Sequence, residues 1–327
     1  MRCTTPDCEI GMKFEHIPVL KQETIAGLAV RPDGVYVDCT VGGGGHAQAI
    51  CEQLKTGRLI AIDQDEEALE AAKCALAPWQ SRITFVHTNF GNLDEVLEDL
   101  STPLVDGTLM DIGVSSHQLD TAARGFSYRV DAPLDMRMDS SGGLSAATVL
   151  REYEEEELRR IFWLYGEERW AARIAEFVVM ERRKAPIETT GQLVEIIKKA
   201  VPKGARRGDK HPARRVFQAL RIEVNRELDV LQQGLEQAVR HLRPGGRCCV
   251  ITFHSLEDRI VKEFFQREAR DCICPPELPV CVCHHKKTLR IVNKKPITAG
   301  AEELRENARA HSAKLRIAEK IEPGGSK

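Results

Sequence analysis

The sequence lacks the features that would mark a membrane, exported or generally basic protein. Its 327 residues contain no apolar run long enough to cross a bilayer, and the N-terminal stretch has no apolar export-signal core. The formal net charge is only −2, so overall charge gives no argument for nucleic-acid binding, and any such surface must be local. We therefore expect a cytoplasmic protein with no membrane partner.

The cysteines give no sign of a disulfide framework, because they number 11, an odd count, and most are scattered. Four of them stand together in "CICPPELPVCVC", at positions 272, 274, 281 and 283. Clustered thiols are typical of a zinc site, but the spacing is C-x-C rather than the usual C-x-x-C. Strand-like positions should splay these thiols, and the prolines shorten the loop. We predict a reduced loop without metal, with zinc as the alternative.

What the sequence does contain is an alternation of short β-branched segments with helical ones, starting at residue 35. Five strands are predicted in "GVYVDCT", "GRLIAID", "SRITFVHT", "VDGTLMDIG" and "RCCVITFH", and two more in "KTLRIVNKKPI" and "SAKLRIAEKI" as a terminal antiparallel pair. Such alternation indicates an α/β fold with a doubly wound, mostly parallel, seven-stranded sheet and an antiparallel C-terminal strand.

The alternation stops between residues 121 and 212, where helical patterns and turn-rich text replace it. We interpret this block as an inserted helical domain within a sheet domain made of residues 12–120 and 213–322. A single long amphipathic helix is predicted in "ARRVFQALRIEVNRELDVLQQGLEQAVRHL". Residues 1–11 and 323–327 are predicted to be disordered.

Four glycines, 42–45, follow the first strand and precede a helix. In a parallel sheet this turn is the usual contact for a cofactor, although a bare glycine-rich turn is the alternative. No GxxxxGK[ST] pattern is present, which disfavours a nucleoside triphosphate site. Asp63 ends the second strand, 20 residues after Gly43, where a carboxylate accepts hydrogen bonds from ribose hydroxyls. An adenosine-containing cofactor is therefore predicted, and both NAD and S-adenosylmethionine fit.

The ends of the third and fourth strands carry two further candidates. Phe90 follows strand three, where a ring can cover an adenine face, although a single Phe there is also typical of a core. Asp111 ends strand four in "LMDIGVSSHQLD", where a carboxylate can hold a cofactor ammonium or a substrate amine. The alternative for Asp111 is a cap on the next helix.

At these motifs the chain closely resembles the RsmH/MraW family, methyltransferases that modify N4 of a cytidine in the decoding region of small-subunit (16S) ribosomal RNA. The resemblance runs from about His16 to "ARAHSAKLRIAEK" and rests on "VDCTVGGGGH", "MDIGVSSHQLD", "PLDMRMD", "RVFQALRIEVN" and "ITFHSLEDRIVK". It implies a Rossmann-like class I methyltransferase fold, S-adenosylmethionine as cofactor, and a substrate-binding role for the insertion. The implied cofactor-binding residues are Gly44, Gly45, His46, Asp63, Phe90, Asp111 and Gln118.

The implied chemistry needs no covalent enzyme intermediate, because an exocyclic amine attacks the sulfonium methyl directly. We therefore assign no catalytic cysteine and expect Cys39, Cys248 and Cys249 to be core residues. Asp111 is the candidate that holds the donor's amino group or accepts a hydrogen bond from N4. His254 and Ser255, after strand five, are candidates for orienting the base or its sugar. For His254 the alternative is a cap on the next helix with Glu257 and Asp258.

The implied partner is the small ribosomal subunit or its 16S rRNA, and the sequence leaves monomer and dimer open. The target base must leave its stack, so Phe126 and Tyr128 are candidates for stacking on it, and Arg124 and Arg129 for holding phosphates. The motif "DMRMD" is instead predicted to be an ion-paired turn. A flexible basic stretch at residues 198–215 predicts RNA contacts from Arg206, Arg207, Lys210, Arg214 and Arg215.

Three other functions stay open at the level of sequence. A DNA-amine methyltransferase would have a Pro-Pro-aromatic motif at strand four, where "DIGVSS" stands. A nicotinamide dehydrogenase would have a cleaner G-x-G-x-x-G and a hydride-site residue. A non-enzymatic ribosome-binding factor could retain this fold, but the complete set of glycines with Asp63 and Asp111 argues against a decayed site.

Overall fold

The computed structural model describes residues 18–206, 211–275, 277–278 and 280–322. The chain divides into two compact units: the first ends at Gly113 and resumes at Val230, and the second is Val114–Asp229. The predicted disordered ends, 1–11 and 323–327, lie outside the described residues. None of the helices in the described ranges is both long and apolar enough to cross a membrane.

The first unit is built on one seven-stranded sheet with the order β3-β2-β1-β4-β5-β7-β6. The strands are β1 (Val35–Asp38), β2 (Arg58–Asp63), β3 (Ile83–His87), β4 (Val105–Asp111), β5 (Leu242–Thr252), β6 (Leu289–Ile291) and β7 (Lys314–Lys320). Strand β7 runs antiparallel to both β5 and β6, while the pairings among β1 to β5 are parallel. This confirms the predicted doubly wound, mostly parallel seven-stranded sheet and its terminal antiparallel pair.

The helices are α1 (Lys21–Leu28), α2 (Gly45–Gln53), α3 (Glu66–Ala75), α4 (Leu93–Asp99), α5 (Ser116–Asp120), α6 (Ala146–Glu152), α7 (Glu155–Leu164), α8 (Ala171–Arg182), α9 (Thr190–Ala200), α10 (Arg214–Asn225), α11 (Glu227–His241), α12 (Ser255–Glu268) and α13 (Ala301–Glu306). Helices alternate with the strands in the first unit, whereas α5 to α10 follow one another in the second unit. Chain order reverses between β1 and β4, so the crevice beyond their carboxyl ends is the place where such sheets bind ligands.

The sheet is buried on both faces, which explains its nearly continuous apolar strands. Along β2, Leu59 contributes to one core cluster and Ile60 to the other, as the alternation of a strand requires. The same alternation places Cys249 in the first cluster and Cys248 in the second. Together with buried Cys39, these thiols are core residues, as predicted.

The second unit is helical and has its own apolar core, which includes Leu158, Phe162 and Ile174. Within residues 114–206 and 211–229 the structure assigns no strand, only an isolated bridge between Pro133 and Thr189. The domain boundary predicted at residue 212 is wrong, because α10 belongs to this unit. Its buried face packs into the helical core rather than onto the sheet, through Val216, Phe217, Ala219 and Leu220.

The predicted single long helix is also wrong, because it is divided into α10 and α11. Arg226 separates them with a left-handed backbone (φ 49°), a conformation that ends a helix. Neither glycine nor proline marks this break, so no local sequence signal predicts it. The prediction for "DMRMD" is confirmed: Arg137 Nη2 donates to Asp135 Oδ2 at 2.7 Å. The two methionines of the motif are buried in the core of the second unit.

Candidate active site

The glycine turn between β1 and α2 owes its composition to two different constraints. Gly42 and Gly44 have positive φ angles of 51° and 86°, which side-chain-bearing residues rarely adopt. Gly45 is constrained by packing instead, because a Cβ there would lie 2.3 Å from Cγ of Pro18. Backbone conformation therefore explains Gly42 and Gly44, and packing against Pro18 rather than a ligand explains Gly45.

Asp63, at the carboxyl end of β2, is tied directly to this turn. Its Oδ2 accepts the Gly42 N–H at 2.9 Å, and its Oδ1 accepts the Asp65 N–H at 2.9 Å. Burial raises the pKa of Asp63 to about 6, against the lowering effect of these backbone donors. Each carboxylate oxygen has a further lone pair, so the predicted ribose contact is compatible with the bonds already made.

Asp38, at the end of β1, is a candidate that the sequence analysis missed. It is only 1% exposed; its Oδ1 accepts the Thr40 N–H at 3.2 Å, while its Oδ2 has no hydrogen-bond partner in the described structure. Burial raises its pKa to about 7, and the charge of Asp63 adds to the shift. A buried carboxylate oxygen without a donor is costly unless a ligand supplies one. The available signal was an acid at the end of the first strand, four residues before Gly42.

Asp111 ends β4 next to Asp38. Its backbone N–H donates to Oγ1 of Thr40 at 2.7 Å, which fixes the strand end beside the glycine turn. Its Oδ1 is buried without a hydrogen-bond partner among the described residues, while the side chain as a whole is 19% exposed. Burial raises its pKa to about 8, and the charges of Asp38 and Glu257 contribute. Ser115, not Asp111, caps the helix that follows β4, so the capping alternative does not describe Asp111.

His46, on the first turn of α2, lies against the same acids. Its Nε2 is 3.0 Å from the carbonyl oxygen of Val19, which can only accept, so this nitrogen carries a proton. Its Nδ1 is 3.7 Å from Oδ2 of Asp111. The structure thus brings three predicted site residues, Asp63, Asp111 and His46, to one edge of the sheet around the glycine turn.

His254 precedes α12 and acts as its N-terminal cap. Its Nδ1 accepts the Glu257 N–H at 3.4 Å, and Oε2 of Glu257 accepts the His254 N–H at 3.2 Å. Its Nε2 lies 2.9 Å from Oε1 of Glu257, but not in hydrogen-bond geometry. Asp258 instead pairs with Arg316 at 2.7 Å on β7. The capping alternative therefore describes His254, and catalytic roles for it and for exposed Ser255 stay predictions.

Phe90 and Gln118 have structural roles that the sequence left open or did not anticipate. Phe90 is 9% exposed and packs in the core, and a Cβ on Gly234 would lie 2.5 Å from its ring. In the second unit, Gln118 forms a capping box with Ser115: its Oε1 accepts the Ser115 N–H at 3.0 Å. Cofactor contacts from both residues stay predictions.

The aromatic residues predicted to stack on the target base are less accessible in the second unit than the sequence indicates. The structure contradicts base stacking by Phe126, because its ring is 6% exposed and belongs to the helical core. Tyr128 stacks on His211 with the ring centroids 4.8 Å apart and meets Phe217 edge-on. His211 therefore occupies one face of the Tyr128 ring, where a base would otherwise stack, and base stacking by Tyr128 stays a prediction. Isolated aromatic residues in a turn-rich sequence do not reveal which ring folds inward.

The cationic candidates divide into anchored and exposed side chains. Arg124 Nη2 donates to the carbonyl oxygens of Met138 at 2.8 Å and Arg137 at 3.1 Å, so it holds the "DMRMD" turn. Arg214 and Arg215 are exposed at the start of α10. Arg207 and Lys210 lie outside the described residues, and the side chain of Arg206 is likewise outside them. Phosphate contacts by these six residues stay predictions.

Comparisons with known proteins agree with this geometry. A family model described as the MraW methylase family matches residues 13–321. The chain is 59% identical to the ribosomal RNA small subunit methyltransferase H of Symbiobacterium thermophilum over 96% of this chain and 99% of that protein. It is 53% identical to the protein of that name from Clostridioides difficile, over 95% of this chain and all of that protein. This chain belongs to the MraW methylase family.

Proposed function

We propose that this protein transfers a methyl group from S-adenosylmethionine to the exocyclic N4 of one cytidine in the decoding region of 16S rRNA, in the cytoplasm. The observation that carries the proposal is the pair of buried carboxylate oxygens, Asp38 Oδ2 and Asp111 Oδ1, that lack hydrogen-bond donors beside the glycine turn. The methionine end of this cofactor carries an ammonium and a sulfonium, so it supplies positive charge and N–H donors. An adenosine ligand without a cationic group would leave the two acids uncompensated.

The protein residues would position the reactants rather than react covalently. Asp111 would hold the ammonium or accept a hydrogen bond from N4, which helps to free the amine lone pair for in-line attack. When bound, the cofactor supplies the electrophilic methyl group. Burial raises the pKa of the core thiol Cys248 to about 11, so it is protonated at neutral pH and unsuited to nucleophilic attack.

The second unit would bind RNA, as the names of the relatives and its basic surface both suggest. Exposed Arg214 and Arg215 begin α10 and are the last two residues of the basic stretch 198–215. Lys and Arg that neutralise phosphates supply affinity without reading sequence. The target nucleotide would therefore be selected by the shape of the small subunit as well as by the pocket for the base.

The direct test uses labelled S-adenosylmethionine with small ribosomal subunits, naked 16S rRNA or DNA. The RNA is then digested and the modified nucleoside is identified by mass spectrometry. We expect N4-methylcytidine from the ribosomal substrates and no transfer to DNA. Labelled cytidine methylated at C5, or no labelled RNA nucleoside at all, would refute the proposal.

Cofactor binding should also release protons near neutral pH. In the free protein the pKa values of Asp38 and Asp111 are raised to about 7 and about 8, so both are partly protonated at pH 7. A bound cation favours the ionised carboxylates, so affinity should increase as the pH rises from 6 to 8. Isothermal titration calorimetry in buffers of different ionisation enthalpy measures this release. Adenosine, which lacks the cationic groups, is the control and should release none; equal proton release by both ligands would contradict the assignment.

A further inference from the structure

The four clustered cysteines between α12 and β6 converge, contrary to the sequence-based expectation. Their Sγ atoms all lie within 4.8 Å of one another. Sγ of Cys272 is 3.4 Å from Sγ of Cys281 and 3.9 Å from Sγ of Cys283, and Cys281 is 3.5 Å from Cys283. In a tetrahedral site with Zn–S bonds of about 2.3 Å, neighbouring sulfurs are about 3.8 Å apart. The argument that C-x-C spacing splays the sulfurs is therefore wrong.

Backbone donors point at three of these sulfurs. The N–H of Val282 lies 3.4 Å from Sγ of Cys274, and the N–H of Ile273 lies 3.5 Å from Sγ of Cys283. The N–H of Cys274 lies 3.4 Å from Sγ of Cys272. A neutral thiol is a weak acceptor, whereas a thiolate is stabilised by N–H donors that also fix its orientation. The two C-x-C segments thus donate to each other's sulfurs, in the manner of an outer shell around a metal–thiolate centre.

The described residues of this segment bury little apolar surface. Its apolar side chains point outward: Ile273 is 44%, Val280 70% and Val282 64% exposed. The cysteines are also unoxidised, with Sγ atoms well beyond the disulfide bond length of about 2.0 Å. A short segment without a hydrophobic core requires a cross-link of another kind to keep one conformation.

We propose that Cys272, Cys274, Cys281 and Cys283 bind one Zn²⁺ ion in a closed tetrahedral site. Binding forms four Zn–S bonds and releases four thiol protons without any change in oxidation state, which leaves a centre with a net charge of −2. The basic sequence 284–287 follows immediately and partly balances that charge. Because protein thiolates fill all four positions, the ion has no open site for substrate, and its role is to fix the α12–β6 connection.

The test measures metal content in the full-length protein, purified under reducing conditions without a metal-affinity step. We expect about one zinc per chain in the wild type and its loss in the Cys272→Ser/Cys281→Ser variant. Cys74→Ser is the matched control, since Cys74 is exposed and lies outside the cluster, and it should retain the ion. Replacement of zinc by Co²⁺ should give the visible absorption of a tetrahedral thiolate site.

A second measurement keeps the test decisive if the double variant does not fold. A strong chelator applied to the wild type should make the segment between Arg270 and Lys287 sensitive to proteases, and added Zn²⁺ should restore resistance. Wild-type protein that binds no stoichiometric metal from zinc-containing buffer would overturn the proposal. Stoichiometric iron in place of zinc, or resistance unchanged by chelation and zinc, would overturn it equally.

Discussion

Replacing Asp111 with asparagine should abolish most methyl transfer and yet stabilise the cofactor-free protein at alkaline pH. The carboxylate is our candidate for holding the ammonium or N4, so its loss should reduce turnover by at least about 100-fold. Its pKa is raised to about 8 in the folded protein, above the ordinary value of 3.8, because it is buried beside Asp38 and Glu257. Ionisation of Asp111 therefore lowers the free energy of unfolding. A neutral amide at this position avoids that loss.

The raised pKa of Asp111 determines how the difference in stability between the wild type and the variant depends on pH. A group whose pKa is raised on folding contributes stability at low pH, which is lost as the pH rises toward the folded-state pKa of about 8. The loss starts at the unfolded-state pKa of 3.8, so the variant should melt slightly higher than the wild type near pH 5 and roughly 2–5 °C higher at pH 8. Differential scanning fluorimetry across this range measures how the difference in melting temperature grows with pH.

Asp106→Asn is the matched control, because Asp106 lies at the opposite end of β4. Its Oδ2 accepts the Val35 N–H at 2.7 Å, and its Oδ1 forms an ion pair with Arg31. Because the Asp106 carboxylate has hydrogen-bond donors, neutralising it should lower the stability of the protein. The affinity for the cofactor should be unchanged, because Asp106 lies away from the proposed site. The contrary result would be that Asp111→Asn lowers the melting temperature at pH 8, as Asp106→Asn is expected to do. In that case the interpretation that Asp111 is a buried acid without a hydrogen-bond donor would be wrong.

The second large effect is expected from charge reversal at the start of α10. Arg214→Glu/Arg215→Glu should weaken binding to small-subunit RNA by about 10- to 100-fold at low salt and reduce the slope of log affinity against log salt by about 2. Turnover at saturating RNA should change little, because these residues are proposed to bind phosphate rather than reacting atoms. Filter binding over a salt series measures both quantities.

Arg159→Glu/Arg160→Glu provides the same change of charge elsewhere in the second unit. Both arginines are exposed on α7, and Arg159 pairs with Glu156 at 3.1 Å, on a helix that begins with consecutive glutamates. RNA affinity should therefore fall much less than in the α10 variant. Equal losses in the two variants would indicate a general charge effect and would remove α10 from the interface.

The sequence predicted most of the fold because the fold depends on patterns that are local and periodic. Alternating strands and helices revealed the sheet, and the glycine turn with Asp63 and Asp111 located its functional edge. Asp38 was missed because it reads as part of a buried strand, and its missing hydrogen bond is visible only in three dimensions. The role of Phe126 depends on which way a loop folds, and the helix break at Arg226 has no local sequence signal. The convergence of the cysteines depends on the pairing of two segments, which their spacing does not specify.

The position of β7 has a consequence for synthesis on the ribosome. This strand, Lys314–Lys320, pairs with both β5 and β6, so β5 lacks a neighbour on that side until residue 320 has been made. Until then its unpaired backbone is an edge on which other chains can form strands. The helical unit is contiguous and ends at Asp229, so it can close its core during translation. Truncation just before β7 should therefore yield a chain with a folded helical unit and an aggregation-prone sheet.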